Sequence, residues 1–313
     1  MGADNGMGVA AALTVLEADD ISHGPIEALF TVDEETGMTG AFGLKEGFLK
    51  GDVLVNMDSE DEGELYIGCA GGMDTIAEFD YEKVGIPSDV KAYEIIVKGL
   101  KGGHSGLDIH LGRGNAIKIV NRVLWNATRK HGLKLAGFDS GDVRNAIPRE
   151  GHAIAVVPKG NTGDFEKYVK EFNDTVKNEF KSVDPGVEIF VKETDMPKEL
   201  MDEKTQNSLL NAVYGVPNGV ISVIPDMPEV VETSTSTGVI KTEDGKVTIT
   251  TLQRSSVDTR KKNLGNMIRA IFEEAGASVE HHGSYPGWNP DVNSPILATM
   301  KDVYDKNFGK VPE

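Results

Sequence analysis

Two sequence textures meet at Gly71-Gly72, and the change between them limits the folds open to this chain. Before the glycines, helix-like and strand-like stretches alternate. Residues 7–17 are rich in Ala and Leu and lack proline, which reads as a helix. Residues 25–32 form a short apolar run bounded by Gly24 and by acidic residues, and 52–57 form another, so both read as strands. A helix is expected between them, over 36–45. This helix–strand–helix–strand order is the rhythm of a doubly wound α/β layer.

After the glycines, strands are expected near 74–81, 91–99, 152–158 and 187–193, with long helices near 114–130 and 163–181. A hairpin runs from Val230 to Arg254 and turns at Asp244-Gly245. A helix over 263–275 and a strand over 278–282 follow. Antiparallel strands with helices to one side make an α+β layer, here a ferredoxin-like core with added strands. From Tyr285 onward a Pro- and Gly-rich stretch leads into a last amphipathic helix at 294–307, which reads as a return to the first domain. The expected division is therefore 1–72 with 284–313, interrupted by 73–283.

At 313 residues, with 39% apolar and 26% charged residues, the chain has the make-up of a water-soluble globular protein. No apolar run reaches transmembrane length and no charged-then-apolar leader opens the sequence, so neither a membrane span nor a signal peptide is expected. Fifty acidic residues against 32 basic ones give a net charge of −18, a field that repels nucleic acid and anionic membranes. A single cysteine, Cys69, excludes an internal disulfide framework and suits the cytoplasm. Cys69 is expected to be a small buried residue, and Trp288 to belong to the core.

The chemistry-bearing residues of the first domain lie in turns beside apolar runs. They are Asp4 between Gly2 and Gly6, Glu34 and Glu35, and Asp58. In doubly wound sheets ligands collect at the carboxyl ends of strands, where these acids are expected. A two-metal site needs a bridging carboxylate, a terminal carboxylate for each ion, and a base that is not itself a ligand. Asp4 suits the bridge, Asp58 a terminal position, and one of Glu34 and Glu35 can ligate while the other holds water. Asx-turn, cap or solvated-loop roles suit the same residues taken singly.

Beyond Gly72, His104 sits in the glycine loop Gly102-Gly-His-Ser-Gly106, which could present its imidazole to solvent or to a neighbouring molecule. Asn145 occupies a turn and carries an amide donor. Arg254 ends a strand, and its planar fork fits either a substrate carboxylate or an internal ion pair.

Taken in order, Gly2-Ala-Asp-Asn-Gly6, Glu34-Glu-Thr-Gly-Met38, Asp58-Ser-Glu60 with Gly68-Cys-Ala-Gly-Gly72, Gly102-Gly-His-Ser-Gly106, Arg144-Asn-Ala-Ile-Pro148 and Arg254-Ser-Ser256 resemble the M20 family of metallopeptidases along essentially the whole chain. The resemblance implies a zinc-peptidase catalytic domain interrupted by a lid that also mediates homodimerisation. It implies two Zn2+ ions, replaceable by Mn2+ or Co2+, bridged by Asp4 and completed by Asp58 and Glu35. Glu34 would be the general base beside a metal-bridged hydroxide. His104 would stabilise the oxyanion, reaching the partner subunit's site, while Asn145 and Arg254 hold the substrate. The implied reaction is hydrolysis of Xaa-His and related dipeptides, with a tripeptidase, a deacylase or a catalytically inactive dimerising fragment as alternatives. The family also carries a His-x-Asp segment on an earlier strand and a metal-binding histidine near the carboxyl terminus. Neither has a counterpart here, so an incomplete catalytic domain is expected, with each metal short of its imidazole.

Overall fold

The computed structural model describes residues 3–34, 38–59 and 61–312, Ala3 and Asp4 by their backbone alone. The chain divides into two compact units, residues 1–67 with 291–313 and residues 68–290.

In the first unit, α1 (Ala3–Glu17) starts four residues earlier than expected, and α2 (Thr39–Phe42) is a single turn. A helix over Pro295–Phe308 belongs to the same unit, with Pro295 in its first turn and Gly309 at φ 66° closing it. The strands expected at 25–32 and 52–57 do not form: among the described residues of this unit there is none. A strand is defined by a neighbour's backbone, and the ties made here are of other kinds. Glu27 Oε2 accepts the backbone N–H groups of Lys50 (2.7 Å) and Gly51 (2.9 Å), where a ladder would use a carbonyl. Phe30, Val32, Val53, Leu54 and Val55 accordingly stay exposed.

The second unit is built on β1 (Gly71–Asp80), β2 (Lys83–Val84), β3 (Val90–Lys98), β4 (Gly103–His104), α3 (Ala116–His131), β5 (Lys134–Ser140), β6 (Ala146–Ile147), β7 (Gly151–Pro158), α4 (Thr162–Glu179), β8 (Glu188–Glu193), β9 (Leu200–Met201), α5 (Glu203–Gly215), β10 (Gly219–Ile224), β11 (Met227–Glu243), β12 (Lys246–Ser255), α6 (Asp258–Glu274) and β13 (Ser278–Tyr285). Nine of the strands form one sheet, ordered β13-β1-β12-β11-β5-β7-β3-β8, with β10 also on β11. The run β8-β3-β7-β5 is antiparallel throughout. With α3 and α4 as crossovers it has the order of the expected ferredoxin-like core.

Sequence periodicity explains the packing. In α3, Ala116, Val120, Val123 and Ala127 recur at helical spacing and are buried, as are Phe165, Val169, Phe172 and Val176 in α4. On the second half of the sheet, α6 lays Leu264, Ile268 and Phe272 against it. Gly265 leaves room there for Met73: a Cβ would lie 2.2 Å from Met73 Cε, and the methionine's end would have to shift. Asp244 and Gly245, at φ 49° and 83°, make the tight turn between β11 and β12 that the sequence announces.

The two halves of the sheet meet at a narrow seam. Strand β11 pairs with β5 only through Ile240 opposite Ser140. Side chains reinforce it, with Thr242 N donating to Asp139 Oδ1 (2.9 Å) and Phe138 N to Thr242 Oγ1 (2.8 Å). Gly141, at φ 75°, approaches so near that a Cβ would stand 1.9 Å from the Gly238 carbonyl oxygen. Asn115 crosses the seam from the start of α3. Its Oδ1 caps the helix by accepting Lys118 N (3.3 Å), and its Nδ2 donates to Thr237 O (2.8 Å) on β11 and to Asn218 Oδ1 (3.1 Å).

Cys69 and Trp288 pair backbone to backbone (Cys69 N to Trp288 O 2.9 Å, Trp288 N to Cys69 O 2.7 Å), but their side chains are not in the core as expected. Cys69 is exposed and Trp288 is 55% exposed, because this short bridge lies outside the sheet. No helix among the described residues is long and apolar enough to cross a membrane. Asn115→Ala should lower stability by about 2–4 kcal/mol, adding a lost cap to a carbonyl left without its buried donor, as read from the urea midpoint at unchanged slope.

Candidate functional site

The acids of the first unit are only partly within the described residues. Asp4 falls in the first turn of α1, and Glu35 lies outside the described residues. Glu34 and Asp58 are exposed. One bond ties two of the expected ligand segments together: Asn5 Nδ2 donates to the Met57 carbonyl at 3.1 Å. Asp4 and Asp58 are the sequence neighbours of that pair, so the helix start and the 56–59 segment approach each other. Asn5 Oδ1 also accepts Gly8 N (2.8 Å), and Asp58 N donates to Asn56 Oδ1 (3.2 Å), so both segments are locally fixed. Among the described residues no group of three His, Cys, Asp or Glu side chains is placed to hold a metal ion.

In the second unit the structure brings His104, Asn145 and Arg254 into one neighbourhood. His104 is not in a free loop but on β4, which pairs with β6 so that His104 faces Ala146. Ser105 N donates to the Asn145 carbonyl at 2.8 Å, continuing that pairing. The turn carrying Asn145 is anchored from its other side by Arg144, whose Nη1 meets the buried Asp74 Oδ2 at 2.7 Å. Arg254 comes from β12, opposite Gly72 on β1 and Ser234 on β11. Its Nη2 stands 3.4 Å from His104 Nε2 and its Nη1 donates to Tyr285 Oη at 3.2 Å.

Hydrogen bonding assigns the imidazole tautomer. Nδ1 of His104 accepts the backbone N–H groups of Leu107 (3.0 Å) and Gly106 (3.2 Å), so the ring proton resides on Nε2. That proton points toward the Arg254 guanidinium, another donor. Burial holds the His104 pKa below its ordinary value, and the charge of Arg254 lowers it further, against the opposing pull of Asp108. Asp108 Oδ2 accepts the His104 backbone N–H (2.8 Å) and is itself held by Arg113 (3.5 Å). His104 is therefore a neutral donor at pH 7.

Arg254 lacks a counter-ion among the described residues, and its Nε is buried without a partner. A half-buried guanidinium facing a second donor is costly unless an anion joins them. Two glycines permit the arrangement. A Cβ on Gly106 would lie 3.1 Å from Arg254 Nε and 3.2 Å from His104 Cε1, and one on Gly72 would lie 2.6 Å from the Tyr285 ring. Tyr285 escaped the sequence reading, although Tyr285-Pro-Gly-Trp288 was a visible signal beside a strand end. The arrangement can bind a carboxylate or stabilise a developing oxyanion.

Comparison with known proteins agrees with this picture. Residues 95–184 match the peptidase dimerisation domain of the M20 group. The cytosol non-specific dipeptidase of Escherichia coli (strain K12) is 38% identical over 312 residues, covering 100% of this chain and 64% of that protein. The crystal structure of aminoacylhistidine dipeptidase from Vibrio alginolyticus superposes with a TM-score of 0.94 at 43% identity, over 99% of this chain and 64% of that one. The chain thus spans 64% of the length of each of these relatives. With the dimerisation domain recognised and the likeness extending from end to end, the chain takes its place among sequences akin to the M20 peptidases.

Proposed function

We propose that this chain belongs to a metal-dependent dipeptidase that cleaves Xaa-His and related dipeptides. The observation carrying the proposal is the paired donors of His104 and Arg254: the guanidinium reaches the Tyr285 phenol but no carboxylate of the second unit, and its Nε is buried without a partner. A dipeptide is the short substrate whose free carboxylate and scissile carbonyl both lie within reach of one such pair. Arg254 binds the carboxylate, His104 Nε2–H faces the carbonyl oxygen as it gains charge, and Asn145 adds an amide donor. Because His104 and Arg254 are adjacent in one chain, their meeting needs no partner subunit.

In the first unit, Asp4, Glu35 and Asp58 would hold divalent cations, with zinc first and manganese or cobalt as substitutes. Their carboxylate chemistry and the Asn5–Met57 bond, which draws the segments of Asp4 and Asp58 together, support that fit. When bound, such ions supply Lewis-acid polarisation of the scissile carbonyl. Glu34 then takes a proton from the attacking water on its carboxylate and passes it to the leaving amine. The match over residues 95–184 supports a homodimer formed through the second unit. The cytosol named for the Escherichia coli relative and the single Cys69 support a cytoplasmic location.

The test is release of free histidine from β-alanyl-histidine by the purified chain with zinc or manganese. Glu34→Ala should reduce the rate at least about 100-fold while leaving the unfolding midpoint unchanged. No release by a folded dimer would leave the chain as a dimerising module alone. Separately, Arg254→Gln removes a like charge from beside the imidazole, so the His104 pKa should rise toward the ordinary histidine value of about 6.5. Two-dimensional NMR of the imidazole nitrogens across pH 4–8 reads this directly, and an unmoved or lowered value would contradict the assigned contact.

A further inference from the structure

Arg254 owes its pose to a residue outside the set the sequence singled out. Tyr285 Oη accepts from Arg254 Nη1 at 3.2 Å. A phenol that accepts one hydrogen bond still has its own proton to give. Among the described residues no acceptor takes it. The phenol is half-buried, on the same arginine that carries a buried, unpartnered Nε and faces the His104 proton.

Tyr285 is also fixed from both ends. Its backbone carbonyl accepts from Lys261 Nζ, a lysine only 1% exposed that Asp258 Oδ1 holds at 2.9 Å. Asp258 Oδ1 in turn accepts Gly287 N (3.1 Å), closing the turn just past the tyrosine. The ring lies over Gly72, where a Cβ would come within 2.6 Å of the ring atoms and of Oη itself. A side chain held this firmly, with a free proton next to an arginine that lacks a carboxylate, suits a ligand-binding donor.

We propose that Tyr285 is both the positioning residue that sets the Arg254 fork and a further donor to the substrate's free carboxylate. This rests on the reading of Arg254 as the carboxylate-binding residue. The phenol then distinguishes peptides with a free carboxyl end from those without one.

The experiment measures binding of β-alanyl-histidine and of its C-terminal amide to the full chain by calorimetry, for the wild type, Tyr285→Phe and Arg254→Lys. Tyr285→Phe keeps the ring on Gly72 and removes only the hydroxyl. The wild type should prefer the acid. Tyr285→Phe should shrink the acid-to-amide preference about tenfold with the amide affinity unchanged, and Arg254→Lys should abolish the preference. If Arg254→Lys abolishes it and Tyr285→Phe leaves it intact, the role of Tyr285 is overturned while the carboxylate reading stands. Equal weakening of both ligands by Tyr285→Phe would mark a structural residue and also overturn the role. A wild type that does not discriminate acid from amide overturns both readings. A second measurement needs no variant: with 13Cζ-labelled tyrosine, the acid should shift the Tyr285 resonance and the amide should not. A resonance that the acid fails to move overturns the proposal.

Discussion

The organisation of the second unit depends on the seam where β11 meets β5. One register pair, Ile240 with Ser140, joins what would otherwise be two separate sheets. Such a short ladder is weak by itself, so the join is completed by side chains and by absent ones. Thr242 and Asp139 supply hydrogen bonds that the backbone does not, and Gly141, just past β5, approaches the Gly238 carbonyl on β11 at a distance no Cβ would tolerate. Asn115 then fastens the first long helix to the far side. The small β4–β6 ladder, which carries His104, follows β3 of one half, and Arg254 lies on β12 of the other. Their approach is a consequence of the seam.

Electrostatics at that approach run against folding stability. A guanidinium beside an imidazole N–H, with a buried Nε and no carboxylate partner in the unit, sacrifices hydration with incomplete return. Burial first, and then the Arg254 charge, hold the His104 pKa below its ordinary value, so the ring stays neutral beside the guanidinium. Proteins keep such arrangements where a ligand resolves them. The supporting shell is correspondingly firm: Asp108 on the His104 backbone, Asp74 on Arg144, and Lys261 on the Tyr285 carbonyl.

Much of this was written in local sequence. Asp244-Gly245 specified its turn because two successive positive φ angles admit few residues. The spacing of apolar residues in α3 and α4 gave those helices and the ferredoxin-like order. Strand β5 was not legible, since a bulge between Leu135 and Gly137 breaks its alternation. Residues 25–32 and 52–57 read as strands because their composition is strand-like, yet pairing is a property of neighbours that composition does not contain. Cys69 and Trp288 were assigned to the interior on residue type, although the bridge between them lies outside the main sheet. Of the site, His104, Asn145 and Arg254 were readable as residue types in suggestive turns. Their adjacency was not, because 150 positions separate His104 from Arg254 and only the seam closes that distance. Tyr285 was missed since its significance is to be the neighbour of an arginine 31 residues away.

A pair of groups joined through one continuous polypeptide has an effective concentration fixed by the fold, whatever the amount of protein in solution. The seam therefore makes the encounter of imidazole and guanidinium an intramolecular event. Dilution, which separates subunits by mass action, has no hold on it.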